Sequence, residues 1–385
     1  MTSRGPAARV RVRRWACAAA FAAAAACAGG CSTPLAGARA HFDLGRLDAA
    51  EAALQPESVR EKDRVLFLME RGAIRQARGD YENSSRDFIE AADLIERLQT
   101  YSVSKGATSL VVNDAVQDFR GAPYERTLLH ALTALNHLAV GHWENAAVEA
   151  RRIIYSLAPE ARGEYPDCAF SRYVAGFGLE LIGDSSNAAL QYRAAAALRP
   201  GIGLDERGAR AGDPELVVFL LLGRGPAGDA TWPDGWLGGT PPVVEIEIAG
   251  RVAGRAWPLS DAFELAAATE RRELAVKLTK TLSRIALKEV IATAVEKNTE
   301  NEFLGALTRL VLIGLLEQPD VRRWETLPRW FMVARVPSPS DLISYRVLVK
   351  WPGGGLLRSA EVAVPLTRRG GTFVSVYREI PPGRY

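Results

Sequence analysis

Apolar residues follow two different patterns along this chain, and the change falls near residue 212. Between residues 38 and 200, apolar side chains recur every three or four positions in four segments, which predicts pairs of amphipathic helices. A glycine joins the two halves of each segment, since glycine readily adopts the left-handed conformation of a tight turn after a helix. These glycines are Gly45, Gly79, Gly141 and Gly183. We therefore predict units at residues 38–56, 65–98, 127–160 and 169–200, with an insertion at 100–122.

The four units resemble tetratricopeptide (TPR) repeats, in which helix pairs of about 34 residues stack into a curved solenoid. Gly45 and Gly79 have this spacing, and small residues at Gly72 and Gly176 allow the two helices of a pair to pack closely. The resemblance implies a concave, partner-binding wall on the first helix of each pair. Its positions are Leu66, Met69, Leu128, Leu135, Leu138, Phe170, Tyr173 and Phe177. Two interpretations stay open: the wall binds an apolar segment of a protein partner, or the C-terminal part of the chain covers it.

Beyond residue 212 the pattern changes to extended segments. Residues 215–222 form one apolar run, whereas residues 243–249 alternate between apolar and acidic side chains, which predicts a half-buried strand. Further β-type runs lie at 329–336, 343–351, 360–365 and 372–379, and helices are expected at 260–299 and 302–316. The predicted fold is mainly α. It consists of a TPR-like α-solenoid at 31–212 and an α+β domain at 213–385 with a β-meander packed on two helices.

The first 31 residues have the pattern of an exported lipoprotein. Five arginines without an acidic residue precede an apolar stretch at 15–28, which is too short to cross a hydrocarbon core of about 30 Å but suits a signal peptide. Small residues at 28–30 lead to Cys31, so we expect a signal peptide at 1–30 and lipidation of the Cys31 thiol. Ser32 favours the outer membrane of a Gram-negative bacterium, with the protein facing the periplasm. The alternative is an ordinary signal peptide followed by a chance cysteine.

Removal of this signal changes the charge and the cysteine count. The chain has a formal net charge of +3, and loss of the five signal arginines leaves −2 for the mature protein. A nucleic-acid partner therefore has no electrostatic basis. Cys17 and Cys27 leave with the signal peptide and Cys31 is modified, so Cys168 is expected to be a buried residue without a disulfide partner.

Four segments together resemble an uncharacterised family of bacterial TPR-containing envelope lipoproteins, namely residues 121–126, 148–152, 170–176 and 320–328. The resemblance implies a lipoprotein with this two-part layout and no established activity. Asp320 and Arg322 alternate along the chain, so they form either a binding site or an ion pair that braces a strand entrance beside Trp324. The residues that carry the resemblance include Tyr124, Glu125, Arg126, Asp320, Arg322, Trp324 and Pro328.

The sequence has no clear catalytic or metal-binding motif. His130 and His137 share a helix face without a third ligand at suitable spacing, and neither a phosphate-binding glycine loop nor a nucleophile elbow occurs. We predict a non-enzymatic protein without cofactor or metal that scaffolds or regulates an envelope machine by binding protein partners. The alternative is a peptidoglycan- or carbohydrate-binding lipoprotein, in which Trp232 and Trp236 would stack on a sugar.

Overall fold

The N-terminal half of the protein is a layer of paired helices. The computed structural model describes residues 34–104, 118–200, 213–226, 240–276, 322–364 and 367–380. Short 3-10 helices at Pro56–Ser58 and Glu61–Asp63 precede α3. Residues 262–276 are also helical and are called α10. The other helices are α1 (Pro34–Asp43), α2 (Leu47–Ala52), α3 (Arg64–Ala77), α4 (Tyr81–Ser104), α5 (Pro123–Ala139), α6 (Trp143–Ser156), α7 (Pro159–Arg162), α8 (Ala169–Leu181) and α9 (Ser185–Leu198).

Four helix pairs form this layer among the described residues, α1 with α2, α3 with α4, α5 with α6 and α8 with α9, and adjacent pairs also contact each other. The glycines predicted at the turns have positive φ angles, for example 82° at Gly79 and 86° at Gly183. Gly72 lies where α3 crosses α4, directly against the ring of Phe88. The inner helices α3, α5 and α8 carry most of the fully buried side chains of the layer.

Nine strands form two sheets in the described part of the chain. The five-stranded sheet has the order β4-β5-β1-β9-β8, and the four-stranded sheet has the order β3-β2-β6-β7. In the first sheet β1 pairs antiparallel with β5 and parallel with β9. The strands are β1 (Glu215–Leu222), β2 (Val243–Ile248), β3 (Arg251–Arg255), β4 (Trp257–Asp261), β5 (Trp330–Pro337), β6 (Ser344–Lys350), β7 (Leu356–Ala363), β8 (Arg368–Arg369) and β9 (Thr372–Glu379).

Strand β1 lies at the centre of the molecule and is buried along its whole length. Val217, Phe219 and Leu221 belong to the apolar core that the sheet shares with the helices. The alternate residues Leu216 and Val218 belong to a second core between the two sheets. The architecture therefore has three layers: helices, the five-stranded sheet and the four-stranded sheet. Burial on both faces explains why β1 is a continuous apolar run rather than an alternating one.

The predicted fold class is wrong. The protein is a mixed structure of helices and two sheets, not a mainly α chain with a TPR solenoid. The predicted meander is also replaced, because β1 pairs in parallel with the distant strand β9. The physical reason is that the apolar faces of the inner helices pack on a sheet instead of lining an open groove.

Two other predictions about the layout are affected differently. The boundary at 212/213 separates the helical layer from the strands, but one apolar core contains side chains from both sides of it. Of the predicted helix at 260–299, residues 262–276 are helical, residues 260 and 261 belong to β4, and the rest lies outside the described residues. The predicted helix at 302–316 lies entirely outside them. No helix among the described residues is both long and apolar enough to cross a membrane.

The crossing of α3 and α4 predicts opposite effects for two glycine substitutions. Gly72→Ala places a methyl group against Phe88, and we expect the free energy of unfolding to fall by about 1–3 kcal/mol because the core becomes overpacked. Gly37→Ala in α1 is the matched control, since open space surrounds it and alanine favours a helix by up to about 1 kcal/mol. Urea unfolding of both variants measures the difference. Equal stability of the two would contradict the packing at this crossing.

Candidate functional site

The eight residues of the predicted concave wall lie inside the protein. Each is at most 2% exposed, and all belong to the core between helices and sheet. The centroids of the rings of Phe170 and Phe177 lie 6.1 and 5.4 Å from that of Phe219 on β1. The C-terminal part of the chain therefore covers the wall, which is the second of the two interpretations. A surface that binds a partner has to lie elsewhere, because these side chains are not accessible. The residues concerned are Leu66, Met69, Leu128, Leu135, Leu138, Phe170, Tyr173 and Phe177.

Two of the four segments of the family resemblance, 121–126 and 320–328, meet at a buried junction that we call the clasp. It consists of Glu70, Glu125 and the main chain of residues 324–326. Glu125 Oε1 accepts a hydrogen bond from the Trp324 amide at 2.8 Å, and its Oε2 accepts one from the Ala122 amide at 2.7 Å. Glu70 accepts from the amides of Glu325 and Thr326 at 3.0 and 3.3 Å. Two carboxylates of the inner helices thus accept hydrogen bonds from three consecutive main-chain amides of the segment that leads into β5.

Aromatic packing and ion pairs surround the clasp. Trp324 is fully buried, meets the ring of Phe88 edge-on at 5.5 Å and donates through Nε1 to Thr326. Arg322 pairs with Asp63 at 2.8 Å. Asp320 lies outside the described residues, so the proposed pair between Asp320 and Arg322 stays a prediction. Pro328 is buried where the segment enters β5, and Tyr124 is buried beside Glu125.

The charges of the clasp are only partly compensated. The Arg39 guanidinium donates through Nε to Glu70 at 2.9 Å and through Nη1 to Glu325 at 2.7 Å. Within the described part of the chain no arginine is hydrogen-bonded to Glu125, and burial raises the pKa of Glu125 to about 6 although the amides of Trp324 and Ala122 oppose the shift. The Glu125 carboxyl is 1% exposed, so a substrate cannot reach it. The clasp is therefore a structural site.

An open cleft on the outer side of the helical layer is the candidate binding site, and we call it the interhelical cleft. It has a volume of about 820 Å³, with α4 and α6 as its walls and α5 as its floor. Three arginines from the family-resemblance segments line it: Arg126 on the floor, and Arg151 and Arg152 on the α6 wall. Arg126 follows Glu125 of the clasp directly, so the cleft and the clasp share one turn of α5.

The two walls of the interhelical cleft carry opposite charges. Asp93 and Glu96 lie exposed on the α4 wall, and Arg151 and Arg152 lie exposed on the α6 wall. Among the described residues no ion pair joins the two walls. Arg152 pairs with Glu149 of its own helix at 2.8 Å, whereas no ion pair involves Asp93, Glu96 or Arg151 among the described residues.

The floor of the interhelical cleft is fixed by hydrogen bonds. His130 Nδ1 lies 2.8 Å from Glu149 Oε2, and Arg152 Nη1 donates to Glu149 Oε1 at 2.8 Å. Arg126 Nη1 donates to the Gly121 carbonyl at 2.9 Å, and burial lowers the pKa of Arg126. An anion bound beside Arg126 would relieve the cost of burying this guanidinium. Tyr155, with 77% of its surface exposed, adds an accessible aromatic face at the rim.

A second cavity, of about 700 Å³, lies beside α10, and several of its charged side chains form ion pairs. Arg329 lies 3.5 Å from Asp261, and Arg199 pairs with Glu264 at 2.8 Å. Cys168 lies nearby as a buried free thiol, as the sequence predicts, and its Sγ accepts from the Ser171 hydroxyl at 3.1 Å. Within the described residues no cluster of three metal-ligating side chains occurs.

Sequence reasoning found only part of the interhelical cleft. It identified Arg126, Arg151 and Arg152 by resemblance but missed Asp93 and Glu96 on the facing wall. The three-residue spacing of those two acids places them on one side of α4, which is an available signal. What the spacing alone could not show is that α4 and α6 face each other across α5.

The raised pKa of Glu125 predicts a specific pH dependence of stability. The folded state binds the proton more tightly than the unfolded state, whose pKa is near 4.5. The free energy of unfolding should therefore fall as pH rises from about 4.5 to about 6, by up to about 2 kcal/mol from this group. Glu125→Gln should remove this component, and Glu82→Gln at an exposed position of α4 is the control. Urea unfolding between pH 4.5 and 7 tests it, and an unchanged pH slope in Glu125→Gln would refute it.

Comparison of the chain with protein-family models, with curated proteins and with solved structures found no match in any of the three. The resemblance to TPR-containing lipoproteins therefore stays a prediction. Any function has to be argued from the residues and geometry of this chain itself.

Proposed function

We propose that this protein is an exported, lipid-anchored binding protein of the cell envelope that holds a protein partner in the interhelical cleft. The observation that carries the proposal is the pair of oppositely charged walls, exposed and joined by no ion pair among the described residues. Complementary charge gives protein interfaces specificity and speeds association. The role is scaffolding or regulation, not catalysis.

The N-terminal sequence supports a position at the membrane. A basic segment, an apolar stretch and small residues precede Cys31, in the order of a lipoprotein signal. Helix α1 begins at Pro34, so about 10 Å of extended chain at most separates it from the expected lipid. A short tether keeps the helical layer near the bilayer, which favours a partner at or close to the membrane surface.

Site-specific photo-crosslinking in cells tests the binding role. A photoreactive amino acid at Tyr155, on the rim of the cleft, should form a discrete adduct with an envelope protein. The same probe at Leu190 on α9, where 52% of the surface is exposed, should not form that adduct. Neutralising one wall with Arg151→Gln and Arg152→Gln should weaken the adduct, whereas Arg193→Gln, exposed on α9, should leave it unchanged.

The negative results of the crosslinking experiment are equally informative. If no adduct forms at Tyr155, the cleft is not a protein-binding site in the cell. If the protein instead sediments with purified peptidoglycan and this is insensitive to Arg151→Gln and Arg152→Gln, the peptidoglycan-binding alternative replaces the proposal.

The lipid anchor has its own test. Cys31→Ser should abolish labelling of the protein by a clickable palmitate analogue, because the thiol that accepts the lipid is lost. Cys168→Ser is the control, since this thiol is buried and its loss should leave labelling intact. Labelling that persists in Cys31→Ser would show that the protein is not a lipoprotein modified at this residue.

A further inference from the structure

Each wall of the interhelical cleft carries charges of one sign. The α4 wall contributes only acidic charges, at Asp93 and Glu96, and the α6 wall contributes exposed basic charges at Arg151 and Arg152. Glu149, the acidic residue of α6 next to them, is buried, and its carboxylate already contacts His130 and Arg152. A ligand that fills the cleft therefore meets negative charge on one side and positive charge on the other.

The dimensions of the cleft suit one extended chain. On α4 the lining runs from Ala92 to Thr100, and a helical rise of 1.5 Å per residue makes this about 12 Å long. A volume of about 820 Å³ spread over that length gives a cross-section of roughly 70 Å². An extended chain occupies about 48 Å², from spacings of about 4.8 and 10 Å.

Successive side chains of an extended peptide point to opposite sides. A sequence that alternates acidic and basic residues thus presents carboxylates along one edge and ammonium or guanidinium groups along the other. Such a peptide places its acids against Arg151, Arg152 and Arg126 and its bases against Asp93 and Glu96. We infer that the interhelical cleft recognises an extended peptide segment in which acidic and basic residues alternate. This inference rests on the proposed function and specifies the chemistry of the partner.

Isomeric peptides separate this inference from general charge attraction. Two hexapeptides with blocked ends have the same composition, one alternating glutamate and lysine, the other with three glutamates followed by three lysines. Fluorescence anisotropy with the full chain in a non-ionic detergent measures their affinities. We expect the alternating peptide to bind about tenfold more tightly than the block isomer, and its binding to weaken as salt is added.

Neutral variants of each wall show whether both are required. Arg151→Gln, and separately Asp93→Asn with Glu96→Gln, should each reduce the preference for the alternating peptide to about one. These substitutions preserve shape at exposed positions, so thermal unfolding should match that of the unmodified protein. Arg152 is left in place because it pairs with the buried Glu149 at 2.8 Å. Arg193→Gln on α9 is the matched control and should retain the preference.

Three results would overturn the inference: equal affinity for the two isomers, tighter binding of hexaglutamate than of the alternating peptide, or no binding at about 1 mM peptide. A negative result with the peptides can be distinguished from a negative result of the crosslinking experiment, which tests the proposed function. A crosslinked partner at Tyr155 without a preference between the isomers leaves the binding role intact and removes only the alternating-charge specificity. A preference without a crosslinked partner supports the cleft chemistry and contradicts the cellular role.

Discussion

Strand β1 is buried on both faces, and the rest of the fold depends on that constraint. Phe219 packs among the rings of Phe170, Tyr173 and Phe177 on α8, while Leu216 and Val218 contact the second sheet. Each large apolar side chain buried in this way stabilises the fold by about 1.5–3 kcal/mol. The two-sided burial joins three layers through one strand, and it also closes the inner face of the helices. In the described part of the helical layer, it is the outer surface that remains available to a partner.

The clasp adds specificity to this apolar packing. A buried amide without an acceptor costs about 1–3 kcal/mol, and the clasp provides acceptors for the consecutive amides of Trp324, Glu325 and Thr326. Burying a carboxylate has its own cost, which the raised pKa of Glu125 reflects. Hydrogen bonds of this kind require one register of residues 324–326 over α3 and α5. The clasp therefore fixes how the segment enters β5 as much as it contributes to stability.

The sequence predicted local elements well because their signals are local. The apolar run of β1 and the helix pairs at the glycine turns were found close to their observed bounds. The short strands β3, β4 and β8 were missed, since each has few residues to show a pattern. The fold class was wrong because sheet order is not local: β1 pairs with β9, more than 150 residues away, and no spacing rule reveals that. Likewise, Glu125 and Trp324 were selected from the sequence, but their contact and the role of Glu70 appear only in three dimensions.

Helix α1 links the N-terminal end of the described chain to the clasp. Arg39 on α1 donates to Glu70 and Glu325, so the helix that begins three residues after Cys31 is also bound to the clasp. Arg39 has little freedom to detach, because its departure would leave the buried Glu70 without a cation. If Cys31 carries the proposed lipid, the lipid is attached three residues before a helix that this buried ion pair holds against the clasp. Arg126, which lines the interhelical cleft, directly follows Glu125 of the same clasp. Helix α1, the clasp and the cleft are therefore linked by contacts through α3 and α5.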